Sequence, residues 1–293
     1  MPFSIVYLLH DSLQMSHNQN PVSAHDHCGK DSRLVNILVP IYRPQLSVSD
    51  RISLTQTCRM LANYPITVIH PTGMDTSRIR EEFPMLAFRD FDAAYFADIK
   101  GYNRLMLAQE FYAAFADFKY ILIAQLDVFI FRDNLAEWCQ RDFDYVGAPW
   151  LQRRVYSLPV IAQALRLYTR LAHLRGRLTR FDRYGKVGNG GLSLRKVESH
   201  LRVIREQEAE VYRFAVTHNR EHLHNEDTFW AMIPRDFHYP TEAEAIRFAY
   251  DKYPELSFKR SHGTLPFGCH GWTKSKNRAF WCGEGDTPRF PSH

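Results

Sequence analysis

Apolar positions along the chain come in short runs separated by longer amphipathic stretches, the alternation expected of strands and helices in an α/β protein. Val35–Tyr42 (VNILVPIY) reads as the first strand, with Pro40 near its end, where a missing donor costs little. Ser47 and Ser49 are N-cap candidates for a helix running to about Ala62, and Pro65–His70 reads as a second strand. Together they form a βαβ unit. Leu86–Phe91 fits a third strand at a sheet edge. Leu105, Ala108, Phe111, Tyr112 and Phe115 recur at helical spacing and predict a helix over Tyr102–Phe118. Tyr120–Phe131 (YILIAQLDVFIF) is an apolar run broken by one amide and one carboxylate, and it reads as the central buried strand of a parallel sheet.

A helix over Asp133–Gln140 and a strand over Asp144–Gly147 follow, closed by Ala148-Pro149-Trp150. Residues 151–186 differ in kind: they are heavily basic, with Asp182 the only acid. Arg166, Arg170, His173, Arg177 and Arg180 fall on one helical stripe, and Leu167, Leu171, Leu174, Leu178 and Phe181 on the next, with Gly176 weakening the helix locally. The sheet pattern resumes afterwards, so the segment reads as an insertion. Such a helix can lie on an anionic membrane, here through residues 153–186, or pack on the domain with its arginines in solvent; both readings stand. Gly188–Arg195 (GNGGLSLR) opens a further strand, and Val197–Phe214 reads as a helix. Ala245–Tyr250 reads as a strand, and Pro266–Trp272 (PFGCHGW) is a turn with a histidine inside it. The fold class expected is α/β, with a mostly parallel central sheet flanked by helices. It forms one domain over 34–293, with a polar, poorly ordered tail over 1–33.

A length of 293 residues allows one large α/β domain or two small ones. No apolar stretch is long enough for a bilayer, and Met1–Leu9 lacks the basic start of a signal peptide. The formal charge of +5 suits anionic partners, and no nucleic-acid-binding motif is present. Cys28, Cys58, Cys139, Cys269 and Cys282 are odd in number and scattered, which points to a reducing, cytoplasmic setting rather than a disulfide framework. His222 and His224 read as surface residues rather than zinc ligands.

The chemistry concentrates at four places. Open α/β sheets bind ligands beyond the carboxyl ends of their strands, where Asp127 stands; a carboxylate there can hold a divalent metal, or cap a turn. The glycines of Gly188–Gly191 permit close approach of backbone to a ligand and lack a phosphate-loop lysine. Glu226-Asp227 opens an apolar run, as acids at a helix start commonly do. His270 can be a ligand or a satisfied buried side chain.

In succession, Gln125-x-Asp127, Gly188-Asn189-Gly190-Gly191-Leu192-Ser193, Asn225-Glu226-Asp227 and Cys269-His270-Gly271-Trp272 resemble the core of inverting glycosyltransferases of the GT-A fold. The beta-1,4-galactosyltransferases show a similar order, and the nearest likeness is to a bacterial glycosyltransferase-like family classed as a domain of unknown function. Val39-Pro40-Ile41-Tyr42-Arg43-Pro44, Tyr102-Asn103-Arg104-Leu105-Met106 and Gly147-Ala148-Pro149-Trp150 belong to the same likeness, which covers roughly residues 34–274. The resemblance implies a nucleotide-sugar donor, a glycan or lipid-linked acceptor, Mn²⁺ or Mg²⁺, and a place in cell-surface polysaccharide or lipopolysaccharide synthesis. It makes Asp127 and His270 metal ligands, Asp227 the catalytic carboxylate, and Glu226 a catalytic or acceptor-orienting partner. Tyr42, Arg43, Arg104, Gln125, Asn189, Gly190, Gly191 and Lys274 would meet the donor, and Trp272 the acceptor.

Gln125 stands where the motif has its first Asp, so the metal site is thinner than usual, and Arg104 or Lys274 bearing the phosphate charge is an alternative. A sugar-phosphate nucleotidyltransferase would carry a glycine-rich loop after the first strand; Arg43-Pro44-Gln45-Leu46-Ser47 has none. A non-catalytic nucleotide- or glycan-binding protein would have little use for the Glu226-Asp227 pair.

Overall fold

The computed structural model describes residues 33–217 and 223–282. The first half runs β1 (Val35–Pro40), α1 (Val48–Met60), β2 (Ile66–Pro71), α2 (Ser77–Glu82), β3 (Ala87–Phe91), α3 (Ile99–Leu105), α4 (Gln109–Ala113), β4 (Tyr120–Ala124), β5 (Val128–Ile130), α5 (Leu135–Gln140) and β6 (Tyr145–Gly147). The second half runs α6 (Pro159–Leu174), β7 (Leu192–Lys196), α7 (Val197–Glu206), α8 (Glu208–Val216), α9 (Glu226–Met232), α10 (Glu242–Phe248), β8 (Ala249–Tyr250), α11 (Pro254–Arg260), β9 (Gly268–His270) and α12 (Ser275–Cys282).

The main sheet has six strands in the order β3-β2-β1-β4-β7-β6. The first four are parallel; β7 runs antiparallel to β4, and β6 antiparallel to β7. Alternate residues of the central strands feed two cores. Val35, Ile37, Val39 and Leu122 pack on one face, and Leu38, Ile121 and Ile123 on the other. A second sheet, β5-β9-β8, sits over its own cluster of Phe129, Tyr250, Trp272 and Trp281. The opening βαβ unit is as expected. Ser47 caps α1 with a reciprocal box: its hydroxyl accepts from Asp50 N at 3.2 Å, and Asp50 Oδ2 accepts from Ser47 N at 2.8 Å.

Four expectations need correction. The run Tyr120–Phe131 is two strands in different sheets. Gln125 donates its N–H to Gly191 O at 2.9 Å and Val128 turns back onto Gln125 O at 2.9 Å, which lifts the chain out of the main sheet. Both pieces are buried, so the apolar run is continuous although the strand is not. The expected helix over 102–118 is α3 and α4. Met106 O, between them, accepts from the Tyr112 hydroxyl at 3.0 Å and the Trp230 indole at 3.2 Å, bonds that replace a helical one. Similarly, Val197–Phe214 divides into α7 and α8 at Gln207. Ala245–Tyr250 is mostly the end of α10, which starts from a Thr241/Glu244 capping box; only Ala249–Tyr250 is strand.

The insertion departs at Trp150 and returns at Lys186, joined there by Trp150 N to Lys186 O at 3.0 Å and Gly185 N to Trp150 O at 3.2 Å. Its helix ends at Leu174 because Gly176 takes a left-handed φ of +65°, so Arg177 and Arg180 lie beyond the expected stripe. His224 is half-buried against Phe214 rather than on the surface. Cys58, Cys139 and Cys269 are free. The tail, His222 and Cys28 lie outside the described residues, and the described part of α12 ends at Cys282. No helix among the described residues is long and apolar enough to cross a membrane.

Candidate active site

The turn after β4 is pinned on both sides by backbone. Gln125 N bonds Gly191 O, and Gly271 N bonds Asp127 O at 2.8 Å, so Asp127 is held between the glycine loop and the loop after β9. Its carboxylate meets His270 Nε2 at 3.1 Å and Lys274 Nζ at 3.4 Å. The other ring nitrogen of His270, Nδ1, lies 3.2 Å from Asp251 Oδ1, just after β8. Burial alone would lower the His270 pKa, but the two carboxylates outweigh it and hold it at about 9. Burial likewise pushes Asp127 up, and His270 with Lys274 brings it down to about 2. Asp251 is lowered, against its burial, by His270.

Asp127 and His270 Nε2 are the two residues that could hold a divalent metal here, once His270 gives up the proton it shares with Asp127. Asp127 and His270 Nε2 share one side, Asp251 orients the ring through Nδ1 as such second carboxylates do, and the space before Nε2 is kept clear by Gly191. A Cβ on Gly191 would lie 2.3 Å from that nitrogen. Asp127 and Asp251 stand on opposite ring nitrogens, so they do not converge on one point. Among the described residues no group of three or more His, Cys, Asp or Glu is placed to hold a metal. Further ligands would have to come from a substrate and water.

One residue along the glycine loop, a Cβ on Gly190 would lie 2.1 Å from Glu226 Oε1. Glu226 opens α9 and is buried against Arg195, whose Nη2 bonds Oε1 at 3.1 Å and lies 3.0 Å from Oε2. Arg195 is itself fully buried in β7 and held by Ser193 Oγ at 3.0 Å and the Tyr112 hydroxyl at 2.9 Å. Burial raises the Glu226 pKa to about 7, against the pull of Arg195. The start of α9 is placed by Asn103, which accepts from Glu226 N at 3.1 Å and donates to Asn225 Oδ1 at 3.3 Å. Asp227 is only partly covered, and Thr228 N donates to its Oδ1 at 2.8 Å. Burial raises its pKa, opposed by Arg183, the Thr228 N–H and Lys252, and assisted by Asp251. Gly190 and Gly191 thus stand between the Arg195–Glu226–Asp227 group and the Asp127–His270–Asp251–Lys274 group.

Asn189 is buried with φ +96°; its Oδ1 accepts from Gly191 N at 2.9 Å, and its Nδ2 has no hydrogen-bond partner among the described residues. Tyr42, 61% exposed, lies beyond the end of β1, at the same sheet edge as Gln125. Arg43 is tied to Asp50 at 2.7 Å in the cap of α1. Arg104 is exposed at the end of α3, 3.5 Å from Ala94 O, and no contact joins it to either group. Trp272 departs from expectation: it is buried against Phe129 and its indole donates to Ser53 Oγ at 2.9 Å, so it packs the second sheet. Arg195, Asp251 and Asn103 were not singled out from the sequence. A charged residue two places from Ser193 on a strand with both faces apolar was the available signal for Arg195.

Residues 85–270 match the family described as "Protein of unknown function (DUF5672)". No curated protein matches the chain in sequence. Among solved structures it is similar to the galactosyltransferase LgtC in complex with donor and acceptor sugar analogs (13% identity, 80% of this chain and 86% of that one, TM-score 0.48). It is also similar to core-mannan synthase A of Aspergillus fumigatus in its Mn/GDP form (12%, 72% and 68%, 0.42). A third is the glycosyltransferase GlyE of Streptococcus pneumoniae (11%, 81% and 54%, 0.43).

Proposed function

Because the chain belongs to the DUF5672 family, and the matched stretch runs from before Asp127 to His270, we propose that this site is the active centre of a GT-A glycosyltransferase. It moves a sugar from a nucleotide-sugar donor to a hydroxyl of a glycan or lipid-linked acceptor. The observation that carries the reading is the glycine loop: Gly191 faces Asp127 and His270, the diphosphate-side residues, and Gly190 faces Glu226, beside Asp227. Leaving-group and base chemistry therefore meet across two adjacent residues that have no side chains.

A divalent metal held by Asp127 and His270 would neutralise charge growing on the departing diphosphate. Lys274 adds a cation on the same side and serves the same end without metal. Asn189 Nδ2, buried without a partner among the described residues, offers a donor to a ligand oxygen. Asp227, its basicity raised by burial, takes the proton of the acceptor hydroxyl as that oxygen bonds the anomeric carbon. The bond from carbon to diphosphate breaks, and the nucleoside diphosphate leaves with the electron pair. One base on one face gives inversion. Glu226, locked by Arg195, sets the position of the loop and of α9. Trp272 has no part in this scheme. The acceptor fits the polysaccharide or lipopolysaccharide class made at the cytoplasmic face of a membrane. α6 supports that setting with an outward stripe of Val160, Leu167 and Leu171, each at least 46% exposed.

The test is thermal unfolding of purified protein with UDP, GDP, CDP or TDP, with and without Mn²⁺. A nucleotide at a hundred times its dissociation constant stabilises the fold by ~2.7 kcal/mol. The expected result is a shift with one nucleotide that needs Mn²⁺ and is lost in Asp127→Ala; no shift with any of them overturns the reading. Gly191→Ala makes a narrower prediction. The added Cβ runs into the His270 ring, which Asp127 and Asp251 hold on both nitrogens, so the ring can give way only by loosening those contacts. The fold should lose some stability, and Mn²⁺-dependent nucleotide affinity should fall roughly 10–100-fold, the usual effect of disturbing a ligand's orientation. Unchanged affinity would remove His270 from the site.

A further inference from the structure

The inner side of α6 faces a cavity of about 830 Å³ that the proposed chemistry leaves unused. One wall is basic: Arg166 and Arg170 line it, and no acid among the described residues pairs with either. Asp182, the only acid of the insertion, is taken by His173 Nε2 at 2.8 Å and by the Thr179 backbone N–H at 2.6 Å. The opposite wall is aromatic. Tyr156 and Tyr184 stack at 5.9 Å, with Phe181 edge-on to both. Leu165 and Leu174 complete it with aliphatic surface. Two unpaired guanidinium groups beside aliphatic and aromatic surface suit an amphiphile with an anionic head, because arginine forks match phosphate oxygens in two-point contact.

The insertion that lines the cavity also reaches the proposed site. The insertion leaves and rejoins the fold at Trp150 and Lys186, just before the glycine loop. Its turn Arg180–Arg183 packs on α9, and Arg183, beside the Trp150 ring at 5.2 Å, is a cation whose charge acts on Asp227. We infer that this cavity is the acceptor subsite, taking a lipid-linked phosphate: the phosphate ester on Arg166 and Arg170, the first carbons of its chain on Leu165 and Leu174. The inference rests on the glycosyltransferase reading for the word acceptor, but not for the ligand chemistry. It also separates the two sides of α6. Leu167 and Leu171 face the bilayer surface, and Arg166 and Arg170, exposed on the cavity side, hold one lipid's head group.

The experiment is calorimetric titration with farnesyl phosphate below its critical micelle concentration, with farnesol and inorganic phosphate as comparators. The full chain should bind farnesyl phosphate about tenfold or more tightly than farnesol, and inorganic phosphate should compete weakly. In Arg166→Gln/Arg170→Gln, exposed positions whose loss leaves the fold intact, that affinity falls about tenfold or more. The Leu167→Ser/Leu171→Ser variant should keep it while losing sedimentation with phosphatidylglycerol vesicles, which separates a bound lipid phosphate from a membrane surface. Equal affinity for farnesol, full competition by inorganic phosphate, or an unchanged arginine double variant overturns the subsite. The nucleotide-dependent thermal shift reads the glycosyltransferase proposal separately. If that shift fails while farnesyl phosphate binds as described, the catalytic reading falls and the lipid-phosphate site stands.

Discussion

Replacing Arg195 by methionine lowers the unfolding free energy by about 3–5 kcal/mol at pH 8, measured by urea titration, because a buried ion pair that loses one partner leaves the other charge uncompensated. Arg195 is fully buried and its Nη2 bonds Glu226, which is 3% exposed. The pH dependence identifies the cause. Glu226 titrates at about 7 in the fold against 4.5 for an ordinary glutamate. Between those values the folded state holds more protons than the unfolded one, so ionisation of Glu226 lowers stability as pH rises, and the effect levels off above about 7. Without Arg195 the carboxyl loses its opposing cation, its pKa climbs, and the decline continues to higher pH. The gap between wild type and Arg195→Met therefore widens from pH 5 to pH 8, by up to about 1.4 kcal/mol, since pH 8 lies about one unit above the wild-type value of about 7. A gap of the same size at both would assign the loss to packing and to the bonds with Tyr112 and Ser193. Arg195→Met combined with Glu226→Leu should recover part of the stability, since no buried charge remains.

The same buried pair shows where reading the sequence works and where it does not. The first βαβ unit, the edge strand β3 and the cap at Ser47 were legible because local signals there agree with the tertiary outcome. Helix boundaries failed where a distant side chain captured a backbone group. Nothing local to Met106 announces that Trp230 and Tyr112 will take its carbonyl. The strand Tyr120–Phe131 was misread for a related reason, since an apolar run records burial and not the sheet in which it is buried. The helix α10 is different: Thr241-Glu242-Ala243-Glu244 is a capping-box pattern in plain view.

For the proposed site, the sequence motifs name Asp127, Gly190, Gly191, Glu226, Asp227 and His270, and the fold brings these residues around one loop. What the motifs did not carry was the framework that aims them. Asp251 follows a two-residue strand inside a misread segment, and Asn103 is an ordinary helix residue until α9 arrives over it. Trp272 shows the opposite error. An aromatic next to a candidate ligand invites a binding role, but β9 turns it into the core beneath Ser53.

Asp227→Asn should lower turnover by ~10²–10⁴-fold, the range attributed to a general base, while leaving the nucleotide-dependent thermal shift unchanged. The substitution is nearly isosteric, and the amide oxygen still accepts the Thr228 N–H, so geometry at the start of α9 is kept. What is lost is the ability to take a proton. In the wild type, burial raises the Asp227 pKa, so the rate should rise with pH through that raised value, as the carboxylate form is the active one. Arg183 is the first cation opposing that rise. Arg183→Gln should move the acidic limb of the rate profile to higher pH without abolishing turnover at its plateau, a displacement that a purely structural role for Asp227 would not produce. Turnover that survives Asp227→Asn would pass the base to another group. Glu226 then becomes the test: with a pKa near neutrality and Arg195 at its side, it is the one neighbouring carboxyl able to exchange a proton at working pH. In that case Glu226→Gln should lose turnover, and Arg183→Gln should leave the profile in place.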